Sequence, residues 1–179
     1  MNLPNKLTLF RMALVPVFIL LMMATALPYH RVWALIVFIV ASLTDMLDGH
    51  IARKYNLVTN FGKFMDPLAD KLLVCSAMIC LIDTKQLASW MVIVIIAREF
   101  IISGFRLVAA DNGIVIAAGI WGKLKTICQM VMIILLVWDL PFFWFWVLQQ
   151  IFIWLSLILT IVSLIDYLYN NKGVLSSKK

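Results

Sequence analysis

Charge is scarce in this sequence: Asp, Glu, Lys and Arg make up 13% of its 179 residues, while 64% are hydrophobic and the mean hydropathy is +1.03. A soluble domain is ordinarily about half apolar and a quarter charged. So little charge excludes a fold that hides its apolar surface in one water-soluble core; lipid must cover much of it. Histidine is rarer still, with two, and the three cysteines, Cys75, Cys80 and Cys128, all fall inside apolar runs. That excludes a disulfide framework and a thiolate metal site, and the cysteines read as packing residues. The sequence has no internal repeat, low-complexity tract or linker, and its length suits one domain over residues 1–179. A cleavable signal peptide is not expected either. The first apolar run carries Arg11 within it and continues to Leu27, as a retained span would.

What is present is a series of apolar runs. Six are long enough to cross a bilayer at roughly 20 residues each, near 7–27, 32–52, 67–83, 87–109, 117–138 and 142–168. In lipid they must be helices, since backbone groups need internal partners and no barrel-like alternation occurs. The expected fold is therefore all-α, a polytopic membrane protein with six transmembrane helices. Six spans put both termini on one side. That side collects all but Arg31 and Lys85 of the 15 Lys and Arg residues, although Lys71 and Arg98 lie within spans. The positive-inside rule makes it cytoplasmic, in a cell membrane. Trp33, Trp90, Trp138, Trp144 and Trp146 fall at the opposite ends, as an aromatic belt would. The net charge of +6 is spread between apolar runs, which suits anionic headgroups and phosphate substrates better than nucleic acid. The tail from Asn170 to Lys179 is polar and expected to fray.

Against this background four aspartates are conspicuous. Asp45 and Asp48, three apart, end the second run; Asp66 and Asp70, four apart, open the third. On helices each pair shares one face. The short polar connection between them lets the two helices run antiparallel and the four carboxylates converge at the cytoplasmic boundary. Charge of one sign there is costly and usually functional. One divalent cation, or two, would compensate it, and all-oxygen ligands favour Mg²⁺ or Mn²⁺ over zinc. Gly49 and Ala52 lie one turn beyond the aspartates and leave room for a bulky ligand, and Arg53 offers a fork of donors suited to phosphate. Pro67 is expected in the first turn of the third span, where its missing N–H costs nothing.

The segment Asp45-x2-Asp48-Gly49-x2-Ala52-Arg53-x8-Gly62-x3-Asp66-x3-Asp70 resembles the signature of the CDP-alcohol phosphatidyltransferase family at every fixed position and gap. Membership would imply transfer of a substituted phosphate from a CDP-linked donor to an alcohol, with release of CMP. It implies two cations held by Asp45, Asp48, Asp66 and Asp70, with Asp45 and Asp66 shared between them and Asp70 also the general base. Asn5, Thr8, Gly49, Arg53 and Thr59 would contact CDP-diacylglycerol, and a homodimer would be expected. His50 occupies a freely variable position of the signature; it and His30 are read as non-catalytic.

The alcohol is read from a second set of cations, Arg98, Arg106, Lys123 and Lys125. Arg98 and Glu99 would serve packing, or act; the lysines would mark the cytoplasmic side, or hold a phosphate. The stretches Ala97-Arg98-Glu99…Arg106 and Gly122-Lys123-Leu-Lys125-Thr126 resemble the branch of the family that joins CDP-diacylglycerol to glycerol 3-phosphate. Lys123 and Lys125 would then hold the acceptor phosphate, assisted by Arg98 and Arg106. Glu99, Asp111, Asp139 and Asp166 receive no role, Glu99 being nearest to one. Rival readings are another acceptor (inositol phosphate, serine or phosphatidylglycerol) and a cation transporter. Carboxylates gathered at one boundary, with no inverted repeat, disfavour the transporter.

Overall fold

A computed structural model describes residues 3–54, 60–111, 116 and 119–171. Side chains are described over 5–44, 65, 68–110, 116 and 119–171. Six α-helices occupy these residues: α1 Leu3–Met23, α2 His30–Lys54, α3 Asn60–Asp83, α4 Ser89–Asp111, α5 Ile120–Trp138 and α6 Phe143–Asn170. No strand occurs among the described residues. The protein is an all-α polytopic membrane protein. Three helices, at 5–23, 120–138 and 143–170, are by length and composition alone apolar enough to cross a bilayer. The other three are interrupted by the charged residues discussed above: Asp45 and Asp48 in α2, Asp66 and Asp70 in α3, Arg98, Glu99 and Arg106 in α4.

The helices outrun the apolar stretches, because a helix at a membrane boundary continues through polar residues that satisfy no hydropathy test. The clearest case is α3. It begins at Asn60, so Pro67 is its eighth residue and lies inside the helix, not in its first turn. There the proline removes one backbone hydrogen bond.

The chain forms two compact units, residues 1–87 with 136–139, and 88–135 with 140–179. In the first, α1 packs against α2 and α3, and α2 against α3. The seam of α1 runs through Thr8, Arg11, Val15, Phe18 and Met22, all buried, at alternating steps of three and four. This is the stripe a helix presents to close neighbours. Ala34, Phe38 and Ala41 of α2 and Ala69, Leu73, Ala77 and Leu81 of α3 answer it, the alanines allowing close backbone approach. The Phe18 and Phe38 rings lie 5.8 Å apart at 50°. Arg31 and Asp139 form an ion pair, and Gln86 Nε2 donates to the Leu136 carbonyl at 2.9 Å. The latter two contacts tie residues 136–139 into this unit.

In the second unit α4 packs on α6. The seam of α6 is Gln149, Ile153, Ser156, Thr160, Ser163 and Tyr167, again at steps of three and four. That of α4 is Met91, Ile95, Arg98 and Ile102. Both seams mix apolar with polar residues; Arg98, Gln149, Thr160 and Ser163 find partners inside the protein, while Ser156 Oγ and Tyr167 OH have no hydrogen-bond partner among the described residues. The outward faces are apolar: Ile93, Phe100, Leu107, Ile151, Ile158 and Ile165 are exposed, as lipid contact requires. All five tryptophans assigned to the belt are exposed, each at or near a helix end. The cysteines are free thiols within helices, Cys128 buried and the other two half-buried.

Candidate active site

The four aspartates sit on two helices of the first unit. Asp45 and Asp48 fall in the last three turns of α2, Asp66 and Asp70 in the first three of α3. The backbone therefore bears out helical placement of both pairs. The side chains of Asp45, Asp48, Gly49, Arg53 and Asp66 lie outside the described residues, and Thr59 lies outside them altogether. Asp70 is half-buried and engaged by a neighbour. The third helix of the unit supplies what the sequence associates with the donor. Asn5 and Thr8 are buried, and Arg11, one turn beyond Thr8, is 0% exposed. All three lie on the seam that becomes apolar at Val15. With Phe18 against Phe38 and the two helices joined by a short turn, ten residues back along α1 from Phe18 lies Thr8, and ten residues on along α2 from Phe38 lies Asp48. The polar end of the α1 seam is thus level with the turns of α2 that carry Asp45 and Asp48. Carboxylate residues on helical turns level with a buried polar face of α1 are a residue set whose chemistry suits a divalent cation and a phosphate-bearing ligand.

The second constellation lies wholly in the second unit. Arg98 Nη1 donates to Glu99 Oε1 at 2.8 Å, and Lys125 Nζ donates to the same oxygen. Arg98 is 7% and Lys125 1% exposed. From α6, Ser163 Oγ accepts from Arg98 Nε at 3.2 Å and Nη2 at 2.9 Å. Gly122 of α5 lies alongside, where a Cβ would stand in ordinary contact, 3.5 Å from Arg98 Nη2. Two buried cations share this one carboxylate oxygen. A guanidinium has five N–H donors; three are used here, so two have no partner among the described residues. Buried donors without acceptors are costly, and an anionic oxygen is what would satisfy them.

The structure thus brings together two of the four cations singled out from the sequence, Arg98 and Lys125. The other two stand apart from that ion-pair cluster. Lys123 is exposed on α5, and Arg106 is exposed with its guanidinium 5.7 Å above the Tyr167 ring. The Tyr167 ring also meets Phe105 edge-on at 5.7 Å. Such a cation over an aromatic face is held in place without being neutralised.

A family model described as CDP-alcohol phosphatidyltransferase matches residues 1–162. The chain belongs to this family. Among its relatives, a Bacillus subtilis (strain 168) protein named CDP-diacylglycerol–glycerol-3-phosphate 3-phosphatidyltransferase is 46% identical over 186 residues, covering 95% of each chain. Proteins of the same name from Rickettsia bellii and Haemophilus influenzae are each 38% identical. The first covers 93% of both chains, the second 97% of this chain and 95% of its own. Two residues of this CDP-alcohol phosphatidyltransferase received no role from sequence reasoning and now hold central places. Glu99 joins Arg98 to Lys125. Ser163 caps the guanidinium from 65 residues away; its serine on an apolar helix carried no signal beyond its place in the seven-residue rhythm of α6.

Proposed function

We propose that the chain is a phosphatidylglycerophosphate synthase, which transfers the phosphatidyl group from CDP-diacylglycerol to glycerol 3-phosphate and releases CMP, at the cytoplasmic face of the cell membrane. The observation that carries the acceptor is the buried Arg98–Glu99–Lys125 cluster, two cations on one carboxylate oxygen, with two Arg98 N–H groups that have no partner among the described residues. Serine brings a carboxylate beside its own ammonium group but no phosphate to place there. The shared name of relatives 38–46% identical over nearly the whole chain supports the same choice.

In this reading Asp45, Asp48, Asp66 and Asp70 hold two divalent cations, Mg²⁺ or Mn²⁺. Such a pair would neutralise the pyrophosphate and the leaving CMP. Asn5, Thr8, Gly49, Arg53 and Thr59 grip the donor. Arg98 and Lys125 hold the acceptor phosphate, with Arg106 and Lys123 drawing the anion in from water. Asp70 takes the proton from the acceptor hydroxyl as its oxygen bonds to phosphorus and the bond to CMP breaks. The chain acts as one domain with six spans, and as a homodimer.

The test is direct. Purified protein, CDP-diacylglycerol and Mg²⁺ are incubated with glycerol 3-phosphate, inositol phosphate, serine or phosphatidylglycerol, and CMP is followed. Release only with glycerol 3-phosphate, lost on chelation of the metal, is expected. Release with another alcohol alone would reassign the acceptor, and none with any would remove the enzymatic reading. Asp70→Asn is expected to abolish release while CDP-diacylglycerol still binds; near-normal turnover would take the role of base from Asp70.

A further inference from the structure

The Ser163 hydroxyl is filled to capacity. A hydroxyl has one donor and two acceptor lone pairs. Its hydrogen goes to the Thr160 carbonyl at 3.0 Å, and its lone pairs receive Arg98 Nε and Nη2. Ser163 is 2% exposed, and the helix fixes it on the seam facing α4. The bond to the carbonyl one turn back leaves the hydroxyl a single rotameric choice, with both lone pairs turned to Arg98. The guanidinium is planar and rigid, so holding its Nε edge at Ser163 and one Nη1 hydrogen at Glu99 determines where the last two N–H groups point.

We infer that Ser163 is a positioning residue of the acceptor site, which locks the plane of Arg98 so that two N–H groups are held ready for the oxygens of a phosphomonoester. The inference rests on the acceptor reading proposed above. Ser163 touches no substrate in this account; it acts through Arg98. A pre-set guanidinium binds without first ordering itself, and that saving is where its contribution lies.

The experiment compares steady-state kinetics of Ser163→Ala, Ser163→Thr, Arg98→Lys and the Ser163→Ala/Arg98→Lys pair. Two N–H groups of a buried cation lose their acceptor in Ser163→Ala. KM for glycerol 3-phosphate is expected to rise on the order of tenfold, with kcat and KM for CDP-diacylglycerol within about twofold. Ser163→Thr keeps the hydroxyl and is expected to restore the KM. In the Arg98→Lys background, which lacks the paired Nε and Nη2, Ser163→Ala is expected to add nothing. Should Ser163→Ala not fold, Ser163→Cys retains the volume with a poor acceptor and is expected to show the same selective rise. If Ser163→Ala leaves this KM unchanged while Arg98→Ala raises it, the positioning role is overturned and the acceptor site stands. If all parameters fall together, or threonine does not rescue, Ser163 serves packing and the inference is also overturned. If Arg98→Ala and Lys125→Ala both leave the KM unchanged, the acceptor site itself is wrong and the inference goes with it.

Discussion

At the scale of single residues, Glu99 decides whether the second constellation holds together. Arg98 and Lys125 both donate to one of its oxygens. Two buried cations so close repel, and without the carboxylate each would face the other in a medium that screens poorly. Glu99→Gln keeps the shape and leaves a carbonyl oxygen where Oε1 stands, but removes the negative charge that offsets the two cations. It is expected to destabilise the protein by about 3–5 kcal/mol, the cost of breaking a buried ion pair from one side. Unfolding in detergent would read this as a lowered midpoint, and KM for glycerol 3-phosphate is expected to rise with it. A wild-type midpoint and KM would show that the two cations are held by other groups.

At the scale of helices, the seam of α1 links stability to the site. One stripe carries Asn5, Thr8 and Arg11 at one end and Val15, Phe18 and Met22 at the other. The apolar end fixes the height at which the polar end meets α2. Phe18→Ala removes a fully buried ring and its contact with Phe38, and is expected to cost about 3–5 kcal/mol. Thermal unfolding in detergent or lipid nanodiscs would measure it; a loss below about 1 kcal/mol would mean that α1 is anchored elsewhere. Much of this was legible in the residues. The apolar runs located all six helices, because long lipid-facing stretches can take no other backbone form. The aspartate spacing placed two pairs on helices. What was not legible follows from what hydropathy omits. It does not see a helix continue through polar residues, which is why α3 starts at Asn60. Nor does it see that residues 65 positions apart meet, which is why Ser163 received no role. Arg98 and Lys125 were recognisable as candidate phosphate ligands, but not that a single glutamate would join them.

At the scale of the whole molecule, the charge distribution fixes how the chain is expected to lie in its membrane. Of 15 Lys and Arg residues, Arg31 and Lys85 alone fall on the side opposite the termini in a six-span path, and Arg31 is paired with Asp139. The connections on that side are short, and each contains a non-glycine residue in the left-handed region: Tyr29, Lys85 and Asp139, at φ 57°, 60° and 45°. Tight turns of this kind reverse the chain between helices and leave little for translocation besides the turn itself. Lys6 and Lys85 are both exposed and belong to opposite sides in this scheme. In a variant with Cys75, Cys80 and Cys128 replaced by alanine, Lys6→Cys and Lys85→Cys place one thiol on each. A membrane-impermeant maleimide added to intact cells is expected to label Lys85→Cys and to spare Lys6→Cys until the membrane is opened. Labelling of both from outside would break the six-span path. The reverse pattern would turn the protein over and put the aspartates on the outer face, away from a cytoplasmic supply of glycerol 3-phosphate, so this one measurement bears on topology and proposed function together.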